Sequence, residues 1–393
     1  MPQLSHRVSR FTDSVLRRMT RISDAHGAIN LSQGCPDFDP PKPLMDALAK
    51  VAYQGPHQYA VTYGAPNLCQ ALARKHGRAI GRQIDPDTQV VVTCGGTEAM
   101  MSAVMTVCDP GDKVVVFSPF YENYGADAIL SGAEPIYVPL KPPAFDFDRQ
   151  ELEDAFRQHP KAMILCNPSN PTGKVFTREE LTFIGELACR YDVFVITDEV
   201  YEHIVFDPYQ HIPMAGLPGL FDRVITCSSL SKTYSITGWR LGYLIGPAQV
   251  MEGAKKVHDF LTVGAPAPLQ EAACVGVNFG EDYYKELKAL YTRKRDFFCD
   301  GLEKIGLDCN RPQGSYFVLV DISRFLALEQ FKGWSDLAFC EWMIEHIGVA
   351  AVPGSSFFKE NVNHLIRLHF ARSEETLAEA LRRLEKLAAL LKD

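Results

Sequence analysis

Between residues 90 and 245 the chain alternates short apolar runs with longer stretches in which apolar side chains recur every three or four positions. The runs fall at 90–93, 113–117, 135–138, 162–165, 193–197, 224–226 and 241–245. Most are unbroken rather than alternating and rich in Val and Ile, the pattern of strands covered on both faces. Helical spacing separates several of them, as over 98–107 and 178–191. The segment therefore predicts an α/β fold, a mostly parallel seven-stranded sheet between helices.

A helical pattern at 43–51 and a loop at 55–66 rich in Gly, Pro and Tyr come before this segment. Beyond residue 271 the pattern changes to a charged helix over 282–305, a strand over 315–321 and an amphipathic helix over 374–391. A chain of 393 residues exceeds what one core comfortably supports. The expected division is an N-terminal segment, 1–40, joined to a small α+β domain, 286–393, with a large domain over 41–285.

Composition narrows the function classes. The net charge of −8 excludes nucleic acid or an anionic membrane as the main partner, so an anionic ligand must be caught by a local pocket. Eleven cysteines are scattered without a C-x-x-C pair or a Cys/His cluster, which predicts neither a disulfide framework nor a metal site. The polar first 28 residues and the lack of a long uncharged apolar run predict a soluble, cytoplasmic protein.

In an open parallel sheet, ligands bind beyond the carboxyl ends of the strands, and these ends carry distinctive residues. The run at 224–226 leads to Ser229, Lys232 and Arg240. A partly desolvated lysine forms Schiff bases, and a guanidinium is a forked phosphate donor; taken singly, Lys232 reads first as a surface lysine beside a turn. The run at 193–197 ends in Asp198 and Tyr201. A carboxylate at a buried strand end needs a cation such as a pyridinium, or else serves as a helix cap. The run at 90–93 opens into Gly95, Gly96 and Thr97 ahead of a helix, which suits an anion or a plain tight turn. Tyr121 follows the run at 113–117 and can stack on a flat ring, and Asn170 lies in a proline-stiffened loop after the run at 162–165.

The ordered set Asn170-Pro171-Thr172-Gly173, Asp198-Glu199-Val200-Tyr201 and Ser229-Leu230-Ser231-Lys232 followed by Arg240 resembles class I/II aminotransferases of pyridoxal-phosphate fold type I. Gln33-Gly34-Cys35-Pro36-Asp37-Phe38 and Pro312-Gln313-Gly314-Ser315-Tyr316-Phe317 are most similar to the branch of kynurenine, glutamine and methionine aminotransferases. The resemblance implies pyridoxal 5′-phosphate held by Lys232 as a Schiff base, with Lys232 also the proton-transferring base. It implies Asp198 paired with the pyridinium, Tyr201 and Asn170 with the phenolic oxygen, and Tyr121 stacked on the ring. Gly96, Thr97, Ser229 and Arg240 would hold the phosphate. Arg367 would clamp the substrate carboxylate with help from the Gly34 N–H, Asn170 also facing the substrate. Tyr59 would reach the phosphate of a neighbouring subunit, making the protein a homodimer with shared sites.

The expected reaction moves an α-amino group from an L-amino acid, neutral, aromatic or sulfur-containing, to a 2-oxo acid. The rivals are a C–S β-lyase and an aspartate-type aminotransferase on the same scaffold, a ligand-sensing module without catalysis, and a nicotinamide-dependent dehydrogenase. No second arginine for a dicarboxylate side chain is tied to a recognisable motif.

Overall fold

A computed structural model describes residues 2–10 and 14–391; Met1, 11–13 and 392–393, which the expected division includes, lie outside the described residues. A short strand β1 (Ile29–Asn30) opens the sheet structure. The large sheet follows as β2 (Val90–Thr93), β3 (Lys113–Ser118), β4 (Glu134–Lys141), β5 (Asp146–Phe147), β6 (Ala162–Cys166), β7 (Phe194–Asp198), β8 (Val224–Ser229) and β9 (Gly242–Ile245). Its order is β2-β9-β8-β7-β6-β3-β4-β5. All seven expected strands form, and the two-residue β5 adds an antiparallel edge.

Pairing is parallel from β4 through β3, β6 and β7 to β8, whereas β9 runs antiparallel to both β8 and β2. The inversion has a simple cause. Only the short span from Leu230 to Leu241 links β8 to β9, and much of it is the four-residue helix Leu230–Thr233 and a 3₁₀ turn. A parallel return runs through a crossover, usually a helix, long enough to carry the chain back across the sheet, and neither of these short turns is. Because β9 is inverted, β2 runs in the same direction as β8, so the carboxyl ends of β2, β3, β6, β7 and β8 all open on one edge.

The unbroken apolar runs serve both faces of the sheet. Val115, Phe117, Met163, Leu165 and Val195 enter one core, while Val114, Val116, Ile164, Ile196 and Ile225 enter another against the helix Gly96–Val107. The helix Arg178–Tyr191 begins with a capping box in which Thr177 accepts from the Glu180 N–H and Glu180 accepts from the Thr177 N–H.

A third core joins both ends of the chain. β10 (Phe317–Asp321), β11 (Val349–Ala350), β12 (Val352–Pro353) and β13 (Leu365–His369) complete the strands. β10, β13 and β12 form an antiparallel sheet, and β11 pairs in parallel with β1. Met19 and Leu31 share this core with Phe298, Phe339 and Leu377. The long helix Glu281–Lys304 bridges the cores, Tyr283 packing against the first and third. Among the described residues no helix is long and apolar enough to cross a membrane.

Phe298 is fully buried where that helix meets the third core. Phe298→Ala is expected to cost about 3–5 kcal/mol of unfolding free energy through lost burial and a residual cavity, measured by urea denaturation.

Candidate active site

The five strand ends surround one cavity of about 830 Å³. Of the expected residues, Gly34, Gly96, Thr97, Tyr121, Asn170, Asp198, Tyr201, Ser229, Lys232, Arg240 and Arg367 all line it. Tyr59 does not; its side chain is 88% exposed in the loop before the helix Pro66–Ile80.

Lys232 projects from the short helix that β8 runs into, three residues beyond the strand's last residue, Ser229. Ser229 caps that helix by accepting from the Ser231 N–H. The Lys232 Nζ donates to the Gly34 carbonyl at 3.1 Å, and the Tyr316 hydroxyl donates to the same oxygen at 2.7 Å. The carbonyl of Gly34, rather than the N–H singled out from the sequence, is thus the atom engaged here. Burial, with Arg240 and Arg367 nearby, brings the Lys232 amine down to about 8, although Cys35 and Asp198 oppose the shift. A lysine so placed is still mainly protonated at pH 7 but is neutral far more often than an ordinary lysine.

Asp198 ends β7, and its two carboxylate oxygens are satisfied differently. Tyr124 donates to Oδ2 at 2.7 Å and the Val200 N–H to Oδ1 at 3.2 Å. Burial raises its pKa, while these two donors and Lys232 pull the other way. The group is a half-buried acid whose ionised form gains from any cation brought against it.

Arg367 lies mid-strand in β13 and is 1% exposed. Its Nη1 donates to Asn170 Oδ1 and its Nη2 to the Ser32 carbonyl, each at 2.8 Å. The guanidinium also lies against the rings of Phe317 and Phe357, 4.1 and 4.6 Å from their centroids. Its Nε is buried without a partner. Desolvation brings its pKa down to about 10. A buried guanidinium with an unused donor is prepared for an anion.

At the opposite end, the helix Gly96–Val107 points its N-terminus into the cavity, with Gly96 and Thr97 in its first turn. Gly95 precedes it at φ +84°, and a Cβ there would sit 2.3 Å from Arg240 Nη2. Only glycine lets the guanidinium lie flat on this turn. Behind the turn, Glu98 accepts from the Cys94 N–H at 2.5 Å, from Thr262 at 2.8 Å and from His258 Nδ1 at 2.6 Å. The other ring nitrogen, Nε2, lies 2.7 Å from the Thr62 carbonyl. His258 thereby ties the loop bearing Tyr59 to the wall of the cavity.

Several cavity residues carry no separate assignment from the sequence: Tyr124, Phe317, Gln33, Cys166 and the N-terminal helix residues Arg17 and Arg21. Tyr124 sits one helical turn beyond Tyr121, and periodicity alone does not say which of two such aromatics meets the strand-end acid.

The Glu98–His258 pair gives a pH test. Its hydrogen bonds hold Glu98 below its ordinary 4.5 and His258 above its ordinary 6.5, against the burial of both. The histidine's contribution is complete below 6.5 and fades as pH rises through its folded pKa; the carboxylate's is complete above 4.5 and fades as pH falls through its own. His258→Phe is expected to destabilise the protein by about 3–5 kcal/mol. The deficit is largest between pH 4.5 and 6.5, as denaturation across pH will show.

The chain is 37% identical to the methionine aminotransferase of Escherichia coli (strain K12) over 375 residues, 95% of this chain and 96% of the relative. It is 35% identical to kynurenine–oxoglutarate transaminase 1 of Homo sapiens, covering 93% and 94% of the two chains. The solved N-succinyldiaminopimelate aminotransferase of Mycobacterium tuberculosis superposes with a TM-score of 0.92 at 35% identity, over 98% of this chain and all of that one. Residues 26–384 match the family described as aminotransferase class I and II. The chain therefore belongs to the class I and II aminotransferases and is a pyridoxal-phosphate-dependent enzyme of amino-group transfer.

Proposed function

We propose that the enzyme takes its amino group from a neutral L-amino acid, aromatic or sulfur-containing, and passes it to a 2-oxo acid, with Lys232 as both cofactor anchor and proton carrier. The observation that carries this reading is the convergence of the Lys232 amine, the Asp198 carboxyl, the Arg367 guanidinium and a helix N-terminus on one cavity. The relatives named for methionine and for kynurenine support the donor class.

The residues present fit pyridoxal phosphate. The unpartnered Arg367 Nε, the glycine notch under Arg240 and the half-buried Asp198 each leave unmet a need that a substrate carboxylate, a phosphate or a pyridinium would meet. Bound there, the cofactor supplies an aldehyde carbon for amine exchange and an electron-withdrawing ring.

Asp198, oriented by Tyr124 and Val200, would keep the ring nitrogen protonated. Asn170 spends its Oδ1 on Arg367, which leaves its amide N–H groups for the phenolic oxygen beside the Tyr201 hydroxyl. Tyr121 would stack on the ring. Gly96, Thr97, Ser229 and Arg240 would gather the phosphate at the helix start. Arg367 would bind the substrate carboxylate, with Asn170 and Gly34 beside it, and so set the substrate Cα within reach of Lys232. Lys232 Nζ, within reach of the substrate Cα, would accept its proton and return it two bonds away, across the amino nitrogen.

We read the chain as a large lobe over 41–285 and a small lobe over 286–393 that includes 1–40. Pairing of β1 with β11 and the shared core of Met19 with Phe298 support the last point. Tyr59 we assign to the neighbouring subunit's phosphate in a homodimer. Its exposure supports this, as do the exposed side chains of Tyr53, Phe260, Leu261 and Val263, the last three close in sequence to His258. The eleven free cysteines support a reducing, cytoplasmic setting.

A panel of amino acids offered with one 2-oxo acid tests the reading, because new oxo acid should form fastest from methionine, phenylalanine or kynurenine. Lys232→Ala should lower kcat by about a hundred- to ten-thousand-fold, and full activity in that variant would end the proposal. Uptake of pyridoxal phosphate by the apoenzyme, followed by visible absorption, should quicken as pH rises through about 8, where Lys232 loses its proton. A rise beginning only near the ordinary lysine value of 10.5 would contradict the desolvated amine.

A further inference from the structure

The end of β7 sends its residues to two sides. Asp198, Val200 and Tyr201 line the catalytic cavity, whereas Glu199 and Glu202 do not. Glu202 instead lines a separate cavity of about 360 Å³ together with Lys75, His76 and His203. Glu199, 2% exposed, accepts from Thr197 Oγ1 at 2.8 Å and lies 3.0 Å from His211 Nε2. Two carboxylates and three imidazoles therefore gather behind the turn that carries Tyr201. They come from the helix Pro66–Ile80, the end of β7 and the loop beyond it, so only the fold brings them together.

Hydrogen bonding within this cluster is incomplete. Pairing with Glu199 accounts for one nitrogen of His211; the other, Nδ1, is buried without a partner in a side chain only 8% exposed. His76, 7% exposed, buries an unpartnered Nε2 and interacts electrostatically with both Glu199 and Glu202. His203 Nε2 comes within 3.4 Å of Glu202 Oε1 without the geometry of a hydrogen bond. Three of the four imidazole nitrogens that are buried without a partner among the described residues thus belong to one cluster. An ion-pair network alone satisfies the carboxylates and leaves these nitrogens orphaned, which is costly. A cation that binds imidazole as well as carboxylate satisfies both.

We propose that Glu199, Glu202 and His211 form a binding site for a divalent transition ion of the zinc class, with water completing its coordination and His76 and His203 around it. Each of the three offers one ligand atom, and these atoms lie within 4.8 Å of one another. Ligands held about 2.0–2.2 Å from one ion stand roughly 3–3.5 Å apart. The approach of His211 to Glu199 already has that spacing, the proton they share leaving as the ion enters, and Glu202 closes by side-chain torsion. A mixed nitrogen and oxygen set favours zinc over magnesium or calcium, which prefer oxygen alone. Lys75 Nζ, 3.6 Å from Glu202 Oε1, is the cation that the ion displaces, and its flexible stem can swing into the adjoining cavity. The ion would tie the 199–202 turn to the segment bearing His211 and brace Tyr201 from behind. The site stands apart from the transamination chemistry and does not depend on the donor class.

Zinc titration of the chelator-treated holoenzyme against a chromophoric competitor, with thermal unfolding alongside, tests the site. The wild type should bind one zinc per chain, and Tm should rise by roughly 3 °C at free zinc a hundred times Kd. Glu202→Gln and His211→Gln should each weaken that binding about tenfold or more and abolish the Tm shift. Lys75→Met removes the competing ammonium and touches no ligand, so it should tighten zinc binding several-fold. No zinc held by the wild type, zinc held as tightly by Glu202→Gln, or affinity unchanged or lowered in Lys75→Met overturns the proposal. The last of these keeps the test decisive even if a ligand variant fails to fold.

Discussion

The catalytic cavity depends on the common direction of five strands. A parallel strand delivers its last residue to the same edge as its neighbours, and the backbone that leaves it is free of the ladder. Ser118, Cys166, Asp198 and Ser229 end four of these strands, and the first residues past them include Tyr121, Asn170 and Lys232. The chemistry is thus assembled from segments far apart in sequence and held by a sheet buried on both faces. That setting limits thermal displacement where a proton must move over a short, fixed distance.

The same edge concentrates charge in a poorly hydrated place, and the structure deals with each charged group in its own way. Asp198 keeps two donors, Arg367 rests between two aromatic rings with hydrogen bonds to Asn170 and Ser32, and Lys232 leans on a carbonyl. None of the three meets a full counter-charge from its own chain in these contacts. Such groups are expensive to bury, and their unmet capacity is the part of the fold that ligands complete.

How much of this was legible in the sequence follows from what each signal depends on. The seven strands could be read because burial on both faces leaves a local apolar run, and Lys232, Asp198 and Asn170 could be placed because they stand just past such runs. Arg367 offered no comparable signal, since a lone arginine within a strand pattern reads as exposed; only its place in an ordered set of motifs singled it out. The helix Val15–His26 does carry Val15, Met19 and Ile22 at helical spacing, but with Arg17, Arg18 and Arg21 between them the segment reads by composition as polar. The role of the Gly34 carbonyl was equally hidden, because a backbone atom's partners come from residues hundreds of positions away.

The reversal of β9 carries a consequence for how this fold can vary. By turning back after a short excursion, the chain keeps Lys232 and Arg240 at one rim, so the cavity's amine and this guanidinium are separated by a single tight loop. Lengthening that excursion would uncouple the two side chains, whereas insertions after β3 or β6 would reshape the lining and leave the spacing between them intact. Evolutionary drift in substrate preference is thereby channelled away from this turn and toward the peripheral segments that line the mouth.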